Sequence, residues 1–136
     1  MAFGQGKPVE VGLYDLHNRG SSPVTVKSIS LDHPHGLVMT ETWLTPIGHQ
    51  NGQELTIGVG WPYPPSFTAL VRQVWSERRP AIGATVRPGQ DLNLVFGLTR
   101  TGAVGKSGGP VIVYTADGST YTLHENTSLS VAARCF

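Results

Sequence analysis

Short runs of alternating apolar and polar residues recur along the whole chain, and each run stops at a cluster of turn-forming residues. Alternation with a period of two is typical of a strand that buries one face and exposes the other. The pattern predicts strands over these stretches: 8–16, 24–31, 37–44, 91–99, 111–115, 120–123 and 129–133. A shorter candidate strand covers 55–59, and the stretch 69–79 fits either a short helix or a strand.

Local signals specify how some of these strands bend and connect. In the second predicted strand the apolar residues change from one face to the other, which predicts either a β-bulge near Lys27 and Ser28 or a strand that switches sheets. Pro88 followed by Gly89 predicts a type II turn, because glycine tolerates the positive φ of its third position. The Asp-Gly pair at 117–118 predicts a tight β-hairpin.

This spacing of short strands predicts an all-β fold. We expect an antiparallel β-sandwich of about seven to nine strands, since turns recur every ~8–12 residues. The strands span one domain, 8–136, preceded by a polar lead-in at 1–7. Such a lead-in is compatible with a leader or anchor that lies upstream of these 136 residues.

Composition narrows the function classes. The 136 residues include ten basic and nine acidic side chains, and the longest basic run is Arg78-Arg79, so no electrostatic footprint for nucleic acid exists. No apolar segment approaches the ~20 residues of a membrane span. Cys135 is the single cysteine, which excludes an internal disulfide and every Cys-x-x-Cys motif.

The turn chemistry carries a family resemblance. The stretches 18–26 (Asn-Arg-Gly-Ser-Ser-Pro-Val-Thr-Val), 88–90 (Pro-Gly-Gln) and 113–121, followed by a terminal apolar strand, resemble bacterial extracytoplasmic immunoglobulin-like domains. That resemblance implies that the all-β fold is an immunoglobulin-like antiparallel β-sandwich in a secreted or membrane-anchored protein. It implies no catalytic residue, and the chain lacks the Cys–Trp–Cys spacing of antibody-type domains.

One stretch suggests hydrolase chemistry. Gly105-Lys-Ser-Gly-Gly-Pro110 resembles the sequence around the nucleophile of chymotrypsin-like serine proteases, with Ser107 as nucleophile and Asp91 as the aspartate. The residue before the nucleophile is Lys106, where that family carries Asp or Asn, and no histidine has the family's context. The stretch 101–109 is therefore interpreted as a glycine-rich loop, with no catalytic residue assigned.

Histidines and aromatic residues supply the other candidates. On an extended strand, His33 and His35 share a face and could chelate Cu²⁺ or Zn²⁺. Solvent-facing turn histidines are the alternative interpretation of this His-Pro-His pair. Trp61, Tyr63 and Phe67 lie in a proline-rich segment that we expect to be an exposed contact surface, because loops run over protein surfaces.

The leading functional hypothesis is a non-catalytic extracytoplasmic interaction or accessory module with a protein partner and no cofactor. The alternative is a copper- or zinc-binding protein that uses His33 and His35, and the third is a serine hydrolase at Ser107. A homodimer is compatible with an open sandwich, because its edge strands can pair between chains.

Overall fold

The all-β prediction is confirmed by the computed structural model, which describes residues 8–56, 58–60 and 69–132. In these residues the strands are β1 Pro8–His17, β2 Val24–Leu31, β3 Leu37–Pro46, β4 Gly48–Gln50, β5 Gln53–Leu55, β6 Gly58–Gly60, β7 Arg79–Pro80, β8 Thr85–Val86, β9 Asp91–Arg100, β10 Val104–Gly108, β11 Pro110–Ala116, β12 Ser119–His124 and β13 Ser128–Ala132. A helix, α1, covers Ala69–Ser76 between β6 and β7.

The strands form two larger sheets and two small ones. The first has five strands in the order β6-β1-β9-β3-β7, and the second has four in the order β12-β11-β2-β8. β10 pairs with β13, and β4 pairs with β5. All of these pairs are antiparallel.

β9 is the central strand of the five-stranded sheet and is buried on both of its faces. It pairs with β1 on one side and β3 on the other, so that Phe96 lies opposite Val11 and Thr42. Its inward residues Leu94 and Phe96 are fully buried, and so is Val95 on the opposite face. The strand therefore needs apolar or hydrogen-bonded partners on both sides.

The inward face of β9 lies in the main core. This core joins residues from three of the four sheets. They include Val9, Val11, Leu44, Leu94, Phe96 and Leu98 from the five-stranded sheet, Val26, Val86 and Ile112 from the four-stranded sheet, and Leu129 and Val131 from β13. Tyr14 stacks on Phe96 with ring centroids 5.8 Å apart. The sheets are thus held together by apolar burial rather than by shared strands.

The outward face of β9 lies under α1. The 69–79 stretch, which fitted either a helix or a strand, is helical up to Ser76, because Leu70 and Val74 fall one turn apart on the face that meets Val95. Trp43 and Trp75 complete this second cluster, with ring centroids 6.3 Å apart and an interplanar angle of 74°.

Three local predictions are confirmed. The pairing of β2 with β11 shifts so that Lys27 has no partner, which is the predicted bulge. Gly89 has a φ of 76° and Gln90 N–H donates to the Arg87 carbonyl at 3.0 Å, as the turn at Pro88 requires. Asp117 and Gly118 have φ values of 52° and 76°, so the hairpin forms at the predicted dipeptide.

Two local predictions are wrong. The stretch 101–109 is not a loop throughout, since β10 occupies most of it and pairs with β13. Gly105 packs directly against the Leu37 side chain, an approach that a Cβ would block, so its glycine serves close packing. The predicted strand 55–59 is instead divided between β5 and β6, which belong to different sheets.

Within the described ranges, no helix combines the length and the apolar character that a membrane crossing needs.

The burial of β9 predicts which side chain is most costly to truncate. Phe96→Ala should lower the free energy of unfolding by about 3–5 kcal/mol, because it opens a cavity and removes the stack with Tyr14. Urea titration followed by circular dichroism measures this loss. Leu13→Ala, at a side chain that is 57% exposed, is the control and should change stability by less than about 0.5 kcal/mol. Equal effects of the two substitutions would contradict the assigned core.

Candidate functional site

A cleft of about 430 Å³ opens at one end of the molecule, and we call it the tyrosine cleft. One wall is the end of β1 with the loop 18–22, and the other is formed by side chains of β2, β8, β11 and β12. Val24, Val26 and Ile112 form its apolar floor. Its size and lining fall in the range of sites that hold a small molecule or a few side chains of a partner.

Two tyrosines form the cleft's aromatic wall. Tyr114 of β11 and Tyr121 of β12 stack with ring centroids 5.4 Å apart and an interplanar angle of 21°. Tyr121 is 48% exposed and its neighbour on the same face, Leu123, is 40% exposed. Exposed aromatic and aliphatic groups beside a cleft offer a large contact area at a small cost in side-chain entropy.

The loop wall of the cleft is held in place by Asn18, which is 7% exposed. Its side-chain amide donates to the carbonyls of Ser22 and Val86 at 2.8 and 2.9 Å, and its Oδ1 accepts from Gly20 N–H at 3.0 Å. Its backbone carbonyl also accepts from Gly89 N–H at 2.7 Å. One asparagine thus ties the loop to β8 and to the following turn, so this wall is preorganised.

Ionisable groups surround the β1 end of the cleft. His17 Nδ1 contacts the Asp91 carboxylate across the β1–β9 pair. Burial raises the pKa of Asp15; His17 opposes the rise, and the carboxylates of Glu54 and Asp91 add to it. The cleft therefore combines an apolar floor with a polar rim that carries both acidic and basic side chains.

A second polar group lies on the outward face of the five-stranded sheet. Glu10 on β1 and Glu41 on β3 both lie opposite Gly97 of β9, so their side chains meet above that glycine. Glu10 is 5% exposed, and its Oε2 has no hydrogen-bond partner among the described residues. Burial, the hydrogen bond with Glu41 and the charge of Glu41 raise the pKa of Glu10 to about 8, against the opposing effect of Arg78.

Gly97 makes this carboxyl pair possible. A Cβ at position 97 would lie 2.5 Å from Thr40 Oγ1, 3.0 Å from Glu41 Cγ and 3.5 Å from Glu10 Oε1. Only glycine leaves room for two carboxyl groups to cross the central strand. Glu10 is therefore protonated at neutral pH and serves packing and hydrogen bonding rather than charge.

Arg78 and two tryptophans adjoin the carboxyl pair. The Arg78 guanidinium lies 4.9 Å from the Trp43 ring centroid and 4.4 Å from that of Trp75. Trp43 Nε1 is buried without a hydrogen-bond partner in the part of the chain that the structure describes. This arrangement fastens the segment after α1 to the sheet through cation–π contacts.

The predicted metal ligands lie in the β2–β3 connection and are exposed. His33 Nδ1 lies 2.6 Å from the Asp32 carboxylate, and its φ of 47° breaks the extended geometry that would place both histidines on one face. The backbone of His35 pairs with Lys106. No group of three or more His, Cys, Asp or Glu able to hold a metal occurs among the described residues, and metal binding by His33 and His35 stays a prediction.

The residues of the hydrolase hypothesis do not come together. Ser107 is 8% exposed, and its hydroxyl donates to the Asp32 backbone carbonyl at 3.0 Å. Asp91 begins β9, whereas β10 packs near Leu37, which lies opposite Arg100 at the other end of β9. Ten extended residues separate those ends by roughly 30 Å, so Asp91 cannot serve as the aspartate of Ser107.

The predicted contact residues Trp61, Tyr63 and Phe67 lie outside the described residues, and their role stays a prediction. Sequence reasoning missed the two sites that the described residues do form. The signal for the cleft was Asn18 at the start of a turn cluster. No such signal marked the carboxyl pair, because Glu10 occupies the polar, outward phase of an alternating strand, where a charged residue is expected to meet solvent.

No protein-family model, curated protein or solved structure matches the chain. Its function must therefore be inferred from the geometry of this molecule alone.

The raised pKa of Glu10 predicts a pH dependence of stability. The folded state holds the Glu10 proton up to about pH 8, whereas the unfolded chain releases it near 4.5, so the free energy of unfolding should fall as pH rises through this window. Glu10→Gln keeps a neutral hydrogen-bonding group and should flatten that fall. Melting temperatures between these two pH values measure it.

Glu77→Gln, at an exposed position after α1, is the matched control and should leave the wild-type slope unchanged. A Glu10→Gln protein with the same slope as the wild type would show that Glu10 is ionised in the folded state.

Proposed function

We propose that this chain is a non-catalytic interaction module built on an immunoglobulin-like sandwich. That fold places strands B, E and D together in one sheet and C, F and G in the other. The strands of this chain can be matched in order to strands B to G, as β1, β2, β3, β9, β11 and β12. The pairings then agree, since β1-β9-β3 lie in one sheet and β2-β11-β12 in the other. β6, three residues long, occupies the place of strand A beside β1.

The position of the tyrosine cleft carries the functional proposal. In variable immunoglobulin domains the B–C and F–G loops cluster at one end of the sandwich and bind the ligand. The equivalent connections here are the loop 18–23 between β1 and β2 and the hairpin turn between β11 and β12. Both line the cleft, through Asn18 to Ser22 and through Asp117.

The chemistry of the cleft favours a protein partner. Its floor is apolar, its wall is a stacked tyrosine pair, and its rim offers carboxylates, a histidine and the Arg19 guanidinium. Buried aromatic contacts surrounded by a polar rim are the usual composition of protein interfaces. A formal net charge of +1 supplies no attraction for nucleic acid.

We assign the module to an extracytoplasmic protein, secreted or membrane-anchored. Support comes from the turn chemistry shared with extracytoplasmic immunoglobulin-like domains. Fractionation of the native host with an antibody against this chain tests the assignment. Recovery in the cytoplasmic fraction alone would overturn it.

Peptide selection tests the proposed binding site. Linear peptides selected against the immobilised protein from a random displayed library should shift amide resonances of the 18–23 loop, of β11 and of the 116–119 turn in the labelled protein. Tyr114→Ala should weaken such a peptide at least roughly tenfold, because it removes half of the aromatic wall.

Leu13→Ala is the matched control, because Leu13 is exposed but does not line the cleft. It should leave the affinity of the selected peptides unchanged. Peptides whose resonance shifts map to α1 or to the β2–β3 connection instead would contradict the cleft as the contact surface.

A further inference from the structure

β12 is an exposed edge strand. All six of its residues, Ser119–His124, are exposed, and it lies at the end of the four-stranded sheet. Within residues 8–56, 58–60 and 69–132 its one strand partner is β11. Its outer edge therefore presents backbone N–H and C=O groups to any second strand that approaches it.

β12 lacks the features by which proteins block pairing at such edges. Its six residues include no Asp, Glu, Lys, Arg or Pro, and its register with β11 contains no bulge. Two edge strands of the larger sheets, β7 and β8, differ from β12, because each is two residues long. β7 consists of Arg79 and Pro80, and Arg87-Pro88 follows β8 directly. Charge, proline and shortness are the common devices against edge pairing, and β12 has none of them.

The sequence of β12 is complementary to itself when it is reversed about Thr122. In an antiparallel pair centred there, directly opposite residues share a face of the sheet. Tyr121 of one copy then lies opposite Leu123 of the other, and Leu123 opposite Tyr121. On the other face Thr120 lies opposite His124, and Thr122 lies opposite itself. Aromatic–aliphatic pairs of this kind stabilise antiparallel strands.

We propose that two copies of this chain pair through β12, antiparallel and with the two-fold axis at Thr122. The charges of β12 are compatible with a second copy, because a two-fold contact must not place like charges opposite one another. β12 meets that condition, since its one ionisable side chain besides Tyr121, His124, lies opposite Thr120. The nearest carboxylates, Asp117 and Glu125, lie beyond the two ends of the strand.

The pairing extends the four-stranded sheet to eight strands. Because the axis is perpendicular to the sheet, the inward faces of both copies lie on the same side. Tyr121 and Leu123 line the tyrosine cleft of their own copy, so the two clefts adjoin across the contact. Each copy thereby covers apolar side chains that are 48% and 40% exposed in the single chain.

Cysteine cross-linking tests both the contact and its register. In a Cys135→Ser background, Thr122→Cys places two thiols directly opposite each other at a separation that a disulfide can span with small adjustments. Treatment with diamide should convert most of this protein to a covalent dimer on a non-reducing gel. Thr120→Cys, two residues away on the same strand and face, should give only background dimer.

Equal cross-linking at the two positions, or at neither, would overturn the proposal. Cross-linking confined to Thr120 would overturn the register and with it the two-fold axis at Thr122.

Sedimentation equilibrium on the unmodified protein provides an independent test. The wild type should sediment as a dimer, and Thr122→Lys should weaken it by more than roughly tenfold, because two ammonium groups then lie opposite each other. Thr85→Lys, on the exposed edge strand β8 of the same sheet, should behave like the wild type. A monomeric wild type, or a dimer unaffected by Thr122→Lys, would show that another strand or no strand covers β12.

Discussion

Burial of β9 on both faces determines how the other elements of this molecule are arranged. A strand between β1 and β3 with no exposed face must be covered by apolar or satisfied polar groups on each side. The main core, shared with the four-stranded sheet, covers one side, and α1 with Trp43 covers the other. The chain is organised as successive layers around β9. The carboxyl pair lies on the outward face of that strand, and the tyrosine cleft is lined by residues of both larger sheets.

The two candidate sites differ because the carboxyl pair is packed against the outward face of β9, whereas the tyrosine cleft opens to solvent beside the 18–22 loop. The carboxyl pair of Glu10 and Glu41 lies on β9 itself, over Gly97, and burial keeps one carboxyl neutral, so that it joins three strands instead of meeting solvent. The tyrosine cleft lies between the 18–22 loop and the four-stranded sheet; Asn18 fixes the loop wall, and Tyr121 is 48% exposed in the single chain. A fixed loop wall beside an exposed aromatic surface suits recognition of a partner.

Much of the framework was predictable from sequence, because local signals agreed with the final contacts. Alternation in β9 and the Asp117-Gly118 dipeptide needed no information from elsewhere in the chain. β10 was missed because several glycines in one stretch normally indicate a flexible loop. Gly105 instead lies in a strand, where the absence of a Cβ lets the Leu37 side chain pack against the backbone. The cleft and the carboxyl pair were missed because each is assembled from residues far apart in sequence, and no period or spacing along one strand reports such contacts.

If β9 holds the layers together, the edge strand β12 and the loop end of the molecule should have lower local stability than β9. These are the two regions that we assign to binding. Native-state hydrogen exchange, read amide by amide, measures that difference. We predict that amides of β9 exchange only through global unfolding, whereas those of β12 and α1 exchange through smaller, local openings. Exchange of β9 through openings as small as those of α1 would show that this strand does not hold the layers together.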